Sequence, residues 1–223
     1  MSKKFNFNNF KPTEFQDHIN RSVPNIKGMY DIIPIIVENF SVKGTNVYDI
    51  GCSTGYLLNE IATYNSTSEL SYIGYDISDN LFFGFCNDAL QLYKRDVTED
   101  SLTMFNTSLV LSVFTLQFID LDKRVRLVQK VYDSLSKRGC FLVCEKVTST
   151  NGFVEDIFTF SNYQKKIENG FTPEEILKKQ KDLKSIMHPI SQKENEKMFR
   201  EAGFEVVEVF FKSLNFIGWI LIK

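Results

Sequence analysis

A short β-rich run that opens at once into a glycine turn constrains this chain more than any other feature. Asn46 to Ile50 is typical of a buried strand, and Gly51, Ser53 and Gly55 follow directly, before an apolar helical segment. Glycine lets backbone approach a ligand closely, and the first turn of a helix offers unpaired N–H groups to it. The pattern therefore predicts a strand, a ligand-binding turn and a helix in an α/β domain.

The rest of the chain alternates predicted helices and strands, as parallel βαβ units require. We predict helices over 29–40, 57–64, 80–87, 121–135 and 192–201, and strands over 46–50, 70–76, 90–93, 108–114 and 140–144. Two further strands, over 205–211 and 215–222, lie too close together for a crossover helix and should pair antiparallel. The pattern indicates a mostly parallel, seven-stranded sheet with an antiparallel C-terminal hairpin.

One α/β domain accounts for most of the length. A chain of 223 residues can bury about 70% of the surface that it exposes when unfolded, so it needs no disulfide or metal to fold. We predict an N-terminal arm over 1–28 with at most one short helix, and a ligand-binding domain over 29–223. A helical insertion over about 151–187 interrupts the alternation.

Composition and charge argue against several classes of function. The formal net charge is −2 and the basic residues are dispersed, so no nucleic-acid footprint is visible. Residues 1–10 contain no apolar signal core, and no apolar run approaches the roughly 20 residues of a membrane span. The cysteines lack metal-site spacing and nearby histidines, which indicates free thiols and no metal: Cys52, Cys86, Cys140 and Cys144. We predict a cytoplasmic protein that acts on a small molecule.

Carboxylates lie at or just beyond the ends of three predicted strands, at the edge of the sheet where α/β domains bind ligands. Asp49 precedes the glycine turn and suits a ligand amino group or an ordered water. Asp76 ends the second strand, where an acid accepts hydrogen bonds from ribose hydroxyls; a helix N-cap is its alternative role. Asp96 can accept from an adenine amino group while the Val97 N–H donates to the ring, although an Asp before a turn is also common.

The glycine pattern favours S-adenosylmethionine (SAM) over a nicotinamide dinucleotide. A dinucleotide fingerprint is G-x-G-x-x-G, whereas Ser53 occupies the second glycine position here and Asp49 precedes the first. The turn residues Gly51, Cys52 and Gly55 complete the predicted SAM-binding segment. The fourth strand ends without the N-P-P-Y or D-P-P-Y of amino-directed nucleic-acid methyltransferases, which argues against base methylation.

Six motifs along the chain carry a family resemblance, and two of them, Asn20 to Pro24 and Phe114 to Phe118, are not general features of such a domain. The six motifs are Asn20-Arg21-Ser22-Val23-Pro24, Val47 to Ser53, Phe114-Thr115-Leu116-Gln117-Phe118, Cys144-Glu145-Lys146, Glu168-Asn169-Gly170-Phe171 and Leu214-Asn215-Phe216. Together they resemble the carboxy-S-adenosylmethionine (carboxy-SAM) synthases over about residues 15 to 223. These enzymes convert SAM and prephenate to carboxy-SAM and phenylpyruvate, for the modification of wobble uridine in tRNA.

The resemblance implies a Rossmann-like class I methyltransferase fold, a homodimer, and SAM or carboxy-SAM as the bound cofactor. It places the following residues where the family contacts SAM: Gly51, Asp76, Ile77, Asp96 and Val97. Ser112 falls near an asparagine that makes such a contact in the family.

The chain departs from the family on the substrate side. A family arginine that binds the carboxylate of carboxy-SAM falls, without gaps, at Gln180, and an amide cannot supply a bidentate cation. A family tyrosine after the arm motif falls at Ile26, and a paired histidine segment falls at Asn162-Tyr163. We therefore assign Arg21 of the arm motif, Ile26 and Gln180 to the substrate side.

Three functions remain open on the sequence. The chain is a divergent carboxy-SAM synthase in which Lys179 or Lys181 supplies the lost charge, an ordinary SAM-dependent methyltransferase with a reshaped pocket, or a SAM-binding partner protein without turnover.

Overall fold

The computed structural model describes residues 11–66, 69–78, 82 and 87–223. Its α-helices are α1 (Pro12–Ser22), α2 (Ile26–Phe40), α3 (Tyr56–Tyr64), α4 (Leu121–Ser134), α5 (Gly152–Glu168), α6 (Pro173–Leu183) and α7 (Gln192–Glu201). Its strands are β1 (Asn46–Ile50), β2 (Ser71–Asp76), β3 (Leu90–Lys94), β4 (Thr107–Val113), β5 (Leu135–Lys146), β6 (Val206–Ser213) and β7 (Phe216–Ile222). The helix predicted over 80–87 lies, apart from residues 82 and 87, outside the described residues, as does Cys86.

Within the described ranges the strands form one seven-stranded sheet in the order β3-β2-β1-β4-β5-β7-β6. Strands β1 to β5 pair parallel with one another, and β7 pairs antiparallel with both β5 and β6. The carboxyl ends of the parallel strands therefore meet at one edge of the sheet. The predicted fold class, with its antiparallel hairpin and helical insertion, is confirmed.

Helices cover both faces of the sheet and bury two apolar clusters. Successive side chains of a strand point to opposite faces of the sheet, so neighbouring residues of β1 belong to different clusters. Val47 packs with Ile33 of α2 and Leu58 of α3 on one face. Tyr48 packs with Val128 of α4 on the other. This two-sided core fixes the edge where the strands end.

Two element boundaries differ from the sequence-based prediction by three residues or more. Helix α2 begins at Ile26, three residues earlier than predicted, and is separated from α1 by three residues. Strand β5 begins at Leu135, five residues before the predicted strand, and its pairing with β4 shifts between Leu135 opposite Thr107 and Cys140 opposite Leu109. None of the helices in the described ranges combines the length and apolar character needed to cross a membrane. The division into arm and domain stays a prediction.

Candidate active site

A cavity of about 500 Å³ opens at the carboxyl edge of the parallel strands. Its floor comes from the glycine turn after β1, the ends of β2 and β4, and the segment after β3. Helices α1, α2, α5 and α6 supply further parts of its wall, together with residues of α3, α4, β5 and β7. The predicted SAM side and the insertion therefore face the same space.

The glycine turn is held in a conformation that few other residues adopt. Gly51 has a φ of 83°, and a Cβ there would collide with the side chain of Thr115. The N–H groups of Gly51 and Cys52 both donate to the Tyr75 carbonyl, at 2.7 and 3.0 Å. Gly51, Cys52 and Ser53 line the cavity. Gly55 does not line it; with a φ of 76° it caps α3 behind the turn.

Asp49 is the most deeply buried carboxylate of the cavity. It is 3% exposed, it lines the cavity, and its Oδ1 has no hydrogen-bond partner in the described part of the chain. Burial, with a contribution from the negative charge of Asp76, raises the pKa of Asp49 to about 7. An orphaned buried oxygen of this kind is satisfied by a ligand that donates hydrogen bonds.

Asp76 joins two segments of backbone at the edge of the cavity. Its two oxygens accept the N–H groups of Ser53 and Ser78, at 2.8 and 2.9 Å, so it orders the turn after β1 and the segment after β2. A carboxylate has about four acceptor positions, which leaves capacity for ribose hydroxyls. Burial raises the pKa of Asp76, and these N–H groups oppose that rise.

The other predicted adenosine contacts lie nearby. Ile77 lies at the cavity rim and is 66% exposed, whereas Val97 is buried against the core. Asp96 also lines the cavity, and its Oδ1 accepts both the N–H and the hydroxyl of Thr98, at 2.8 and 2.7 Å. Ser112 is fully buried and does not line the cavity, although the three residues that follow it do.

The wall after β4 is positioned by Glu145, a buried acid at the end of β5. Its carboxylate accepts the backbone N–H groups of Thr115, Leu116 and Gln117, at 3.2, 2.8 and 2.8 Å. Burial raises its pKa to about 8, against the opposing effects of these N–H groups and of Arg124. Thr115 lies against the glycine turn. Glu145 therefore positions the cavity wall through the backbone segment to which it is hydrogen-bonded.

Lysines enter the cavity from the end of β5 and from the helical insertion. They are Lys146, Lys166 on α5 and Lys179 on α6. Lys179 also contacts the imidazole of His18 on α1. Burial lowers the pKa of Lys179 to about 8, and burial together with the charge of Lys146 lowers that of Lys166 to about 8. In the described ranges no cluster of three His, Cys, Asp or Glu residues could hold a metal ion.

Gln180 lies outside the cavity, and its assignment to the substrate side stays a prediction. On α6, Lys179 and Leu183 line the cavity, whereas Gln180 is exposed to solvent. Because one residue along a helix turns about 100°, neighbouring residues of α6 face different surroundings. Lys181 is also exposed.

Arg21 and Ile26 likewise lie outside the cavity. The Arg21 guanidinium lies 4.3 Å from the centroid of the Phe171 ring and donates to the Asn169 carbonyl at 2.8 Å, so it joins α1 to the turn after α5. Ile26 is buried at the start of α2. One helical turn later, Tyr30 lines the cavity, which sequence reasoning missed; burial and nearby negative charge, including that of Asp49, raise its pKa.

Known proteins resemble this chain in sequence over nearly its whole length. No protein-family model matches the chain. The carboxy-S-adenosyl-L-methionine synthase of Staphylococcus epidermidis is 36% identical over 94% of this chain and 92% of its own length. The synthases of Wolinella succinogenes and Methylococcus capsulatus are 34% and 32% identical, over 100% and 98% of this chain and 95% and 93% of their own.

Solved structures with low sequence identity share the fold. Human N-acetylserotonin methyltransferase in complex with SAM superposes with a TM-score of 0.63 at 14% identity; the match covers 95% of this chain and about half of that structure, 55%. A chain from the complex with the Haloferax volcanii Trm112 methyltransferase activator gives a TM-score of 0.64 at 15% identity, over 100% of this chain and 99% of that one. These matches support the class I methyltransferase architecture.

Proposed function

The chain belongs to the carboxy-S-adenosyl-L-methionine synthase family, and from that premise we propose that it is a transferase that makes carboxy-SAM from SAM and prephenate. In this reaction prephenate loses a carboxyl group and its hydroxyl as its ring becomes aromatic. The SAM methyl group takes the carboxyl in place of one hydrogen, and the hydroxyl and the proton leave as water. The product would serve the modification of wobble uridine in tRNA.

The orphaned carboxylate of Asp49 is the observation that carries the SAM half of the proposal. SAM has a positively charged amino group and sulfonium, and a buried carboxylate beside a glycine turn suits that charge. Asp76 would accept from the ribose hydroxyls, and the Val97 N–H would donate to the adenine ring. These residues would bind and orient SAM with its methyl group toward the insertion.

A product assay tests this function. The purified protein is incubated with SAM and prephenate, and the products are separated and identified by mass spectrometry. We expect carboxy-SAM and phenylpyruvate in equal amounts, and neither from Gly51→Val, in which the new side chain displaces the turn against Thr115. Methyl transfer without carboxy-SAM would indicate an ordinary methyltransferase. SAM that binds but stays unchanged beside prephenate would contradict the enzyme proposal.

We further propose that the protein is a homodimer through α5. Phe153, Ile157 and Phe160 follow one another at helical spacing and are 74%, 44% and 68% exposed. An apolar stripe of this kind on a helix marks a protein contact. Light scattering should give the mass of two chains, and Phe160→Glu should lower it toward one. A single-chain mass for the unaltered protein would contradict this assembly.

A further inference from the structure

Two sequence motifs that the SAM site leaves unexplained contact each other in the structure. Arg21 belongs to the motif over 20–24, and Asn169 and Phe171 belong to the motif over 168–171. The Arg21 Nε donates to the Asn169 carbonyl at 2.8 Å, and the Asn169 Nδ2 donates to the Arg21 carbonyl at 3.0 Å. The guanidinium also lies over the Phe171 ring, within the range of a cation–π contact. These three residues, here called the clasp, join α1 to the turn between α5 and α6.

The turn between α5 and α6 holds the Asn169 carbonyl in a defined place. The N–H of Gly170 donates to the Ile167 carbonyl at 2.9 Å, and the N–H of Phe171 donates to the Lys166 carbonyl at 3.0 Å. These two bonds form a Schellman motif, a common way for a helix to end at a glycine, and Gly170 has the positive φ, 86°, that the motif needs. The motif over 168–171 therefore both ends α5 and presents an acceptor to Arg21.

Helix α1 forms one wall of the cavity, although none of its own residues is buried. The residues that it contributes to the wall share one face of the helix: Phe15, Gln16, Ile19 and Ser22. An element with little buried surface opens more easily than the core, and the lids of active sites are elements of this kind. Helix α1 therefore depends on directional contacts to stay over the cavity.

The contacts between α1 and the helical insertion lie beside the clasp. Arg21 does not line the cavity, and its Nη1 donates to Asp17 on the preceding turn of α1 at 3.2 Å. The His18 ring lies 5.2 Å from the Phe171 ring, centroid to centroid, and His18 also contacts Lys179 of α6. The clasp therefore acts on a bound ligand only through the position of α1.

We propose that α1 is a lid and that Arg21 is the positioning residue that keeps it closed while the carboxyl group is transferred. This inference rests on the proposed function. In a closed cavity the carboxyl group that prephenate loses can reach only the SAM methyl carbon. In an open cavity it escapes as carbon dioxide: the electron pair of the broken bond completes the aromatic ring, the hydroxyl leaves with a solvent proton as water, and SAM stays unchanged. Closing an active site against solvent prevents side reactions of this kind.

The ratio of the two organic products tests the role of Arg21. The protein is given SAM and prephenate, and carboxy-SAM and phenylpyruvate are quantified by mass spectrometry, with the amounts formed in the absence of protein subtracted. We expect equal amounts from the unaltered protein. Arg21→Met should give at least about threefold less carboxy-SAM than phenylpyruvate, because losing a charge-assisted contact shifts the opening of α1 by about tenfold or more.

Two further arginine variants calibrate this result. Arg21→Lys keeps a cation near the Phe171 ring but loses the planar fork of donors, so its product ratio should lie between those of the unaltered protein and Arg21→Met. Arg126→Met is the matched control, because Arg126 is exposed on α4 and does not line the cavity, and it should give equal amounts. The Arg21 side chain is 37% exposed, so the thermal midpoint of Arg21→Met should change by no more than about 2 °C.

Release of S-adenosylhomocysteine, which lacks the methyl group and cannot react, measures the lid without the reaction. Its dissociation rate, followed by stopped-flow displacement, should rise about tenfold in Arg21→Met. Gly170→Val tests the other half of the clasp, because its Cβ would lie 3.3 Å from the Arg21 Nη2 and the positive φ would strain the turn. Release should become faster in this variant also, although Arg21 itself is unchanged.

Failure of the lid is distinguishable from failure of the proposed function. Equal amounts of both products from Arg21→Met would overturn the lid and leave the function standing, whether the products form at the unaltered rate or more slowly. An unaltered protein that forms neither product would overturn the function. S-adenosylhomocysteine that leaves the unaltered protein and Arg21→Met at the same rate would overturn the lid in either case.

Discussion

The acidic and basic sides of the cavity are assembled in different ways. On the acidic side, Asp49 and Asp76 belong to adjacent parallel strands. The glycine turn after β1 is fixed by hydrogen bonds from its N–H groups to the Tyr75 carbonyl and the Asp76 carboxylate. On the basic side, Lys166 and Lys179 come from two helices of the insertion. The first side therefore depends on local chain geometry, and the second depends on how the helices pack over the sheet.

The largest effect is expected at Asp76 on the acidic side. Asp76→Ala removes the proposed ribose acceptor and also frees the N–H groups of Ser53 and Ser78, so SAM affinity should fall by about 100-fold or more. Calorimetry with SAM measures the loss, and circular dichroism checks that the fold is retained. Asp76→Asn keeps one acceptor oxygen and should lose less. An unchanged SAM affinity in Asp76→Ala would remove this residue from the site.

The next largest effect is a pH dependence set by Asp49. Its pKa is about 7 in the protein without ligand, and only the charged carboxylate attracts the amino group of SAM. Below pH 7 SAM binding must first displace the proton of the Asp49 carboxyl. SAM affinity should therefore rise between pH 6 and pH 8, by up to about tenfold per pH unit below the pKa. In Asp49→Asn this rise should disappear. If SAM affinity rose equally steeply with pH in the unaltered protein and in Asp49→Asn, another group would be responsible for the pH dependence.

Ionisation of Asp49 should favour SAM binding but lower the stability of the folded protein without ligand. Because the folded pKa of Asp49 lies above its unfolded value, the stability present at acidic pH is lost as the pH rises through about 7. Above that pH a buried carboxylate must stay charged, so Asp49→Asn should stabilise the ligand-free protein at pH 8 by up to about 4 kcal/mol, or roughly 8–16 °C in Tm. Thermal unfolding at pH 8 and pH 5 measures it. A larger gain at pH 5 than at pH 8 would contradict this sign.

The smallest effect is expected at Gln180. The ungapped alignment with the family suggests that Gln180→Arg would restore a carboxylate contact, whereas the exposed side chain in the structure suggests little change. Prephenate and carboxy-SAM affinities should therefore stay within about twofold, below the effect of a single hydrogen bond. A tenfold gain for carboxy-SAM would show that residue 180 reaches a bound ligand after all.

The difference between the acidic and basic sides explains which parts of the site the sequence could predict. The parallel part of the sheet and the turn after β1 follow from local patterns, because Gly51 needs a positive φ and alternating strands and helices imply a parallel sheet. The basic side could not be predicted in the same way. Whether Lys179 or Gln180 faces the cavity depends on the rotation of α6, and whether Ile26 or Tyr30 lines it depends on the rotation of α2.

A crystal structure with S-adenosylhomocysteine and prephenate bound together tests the central claim most directly. The proposed function predicts that the ribose hydroxyls lie within hydrogen-bond distance of Asp76, and that prephenate lies in the same cavity. Prephenate bound outside the cavity, or ribose hydroxyls directed away from Asp76, would contradict the account.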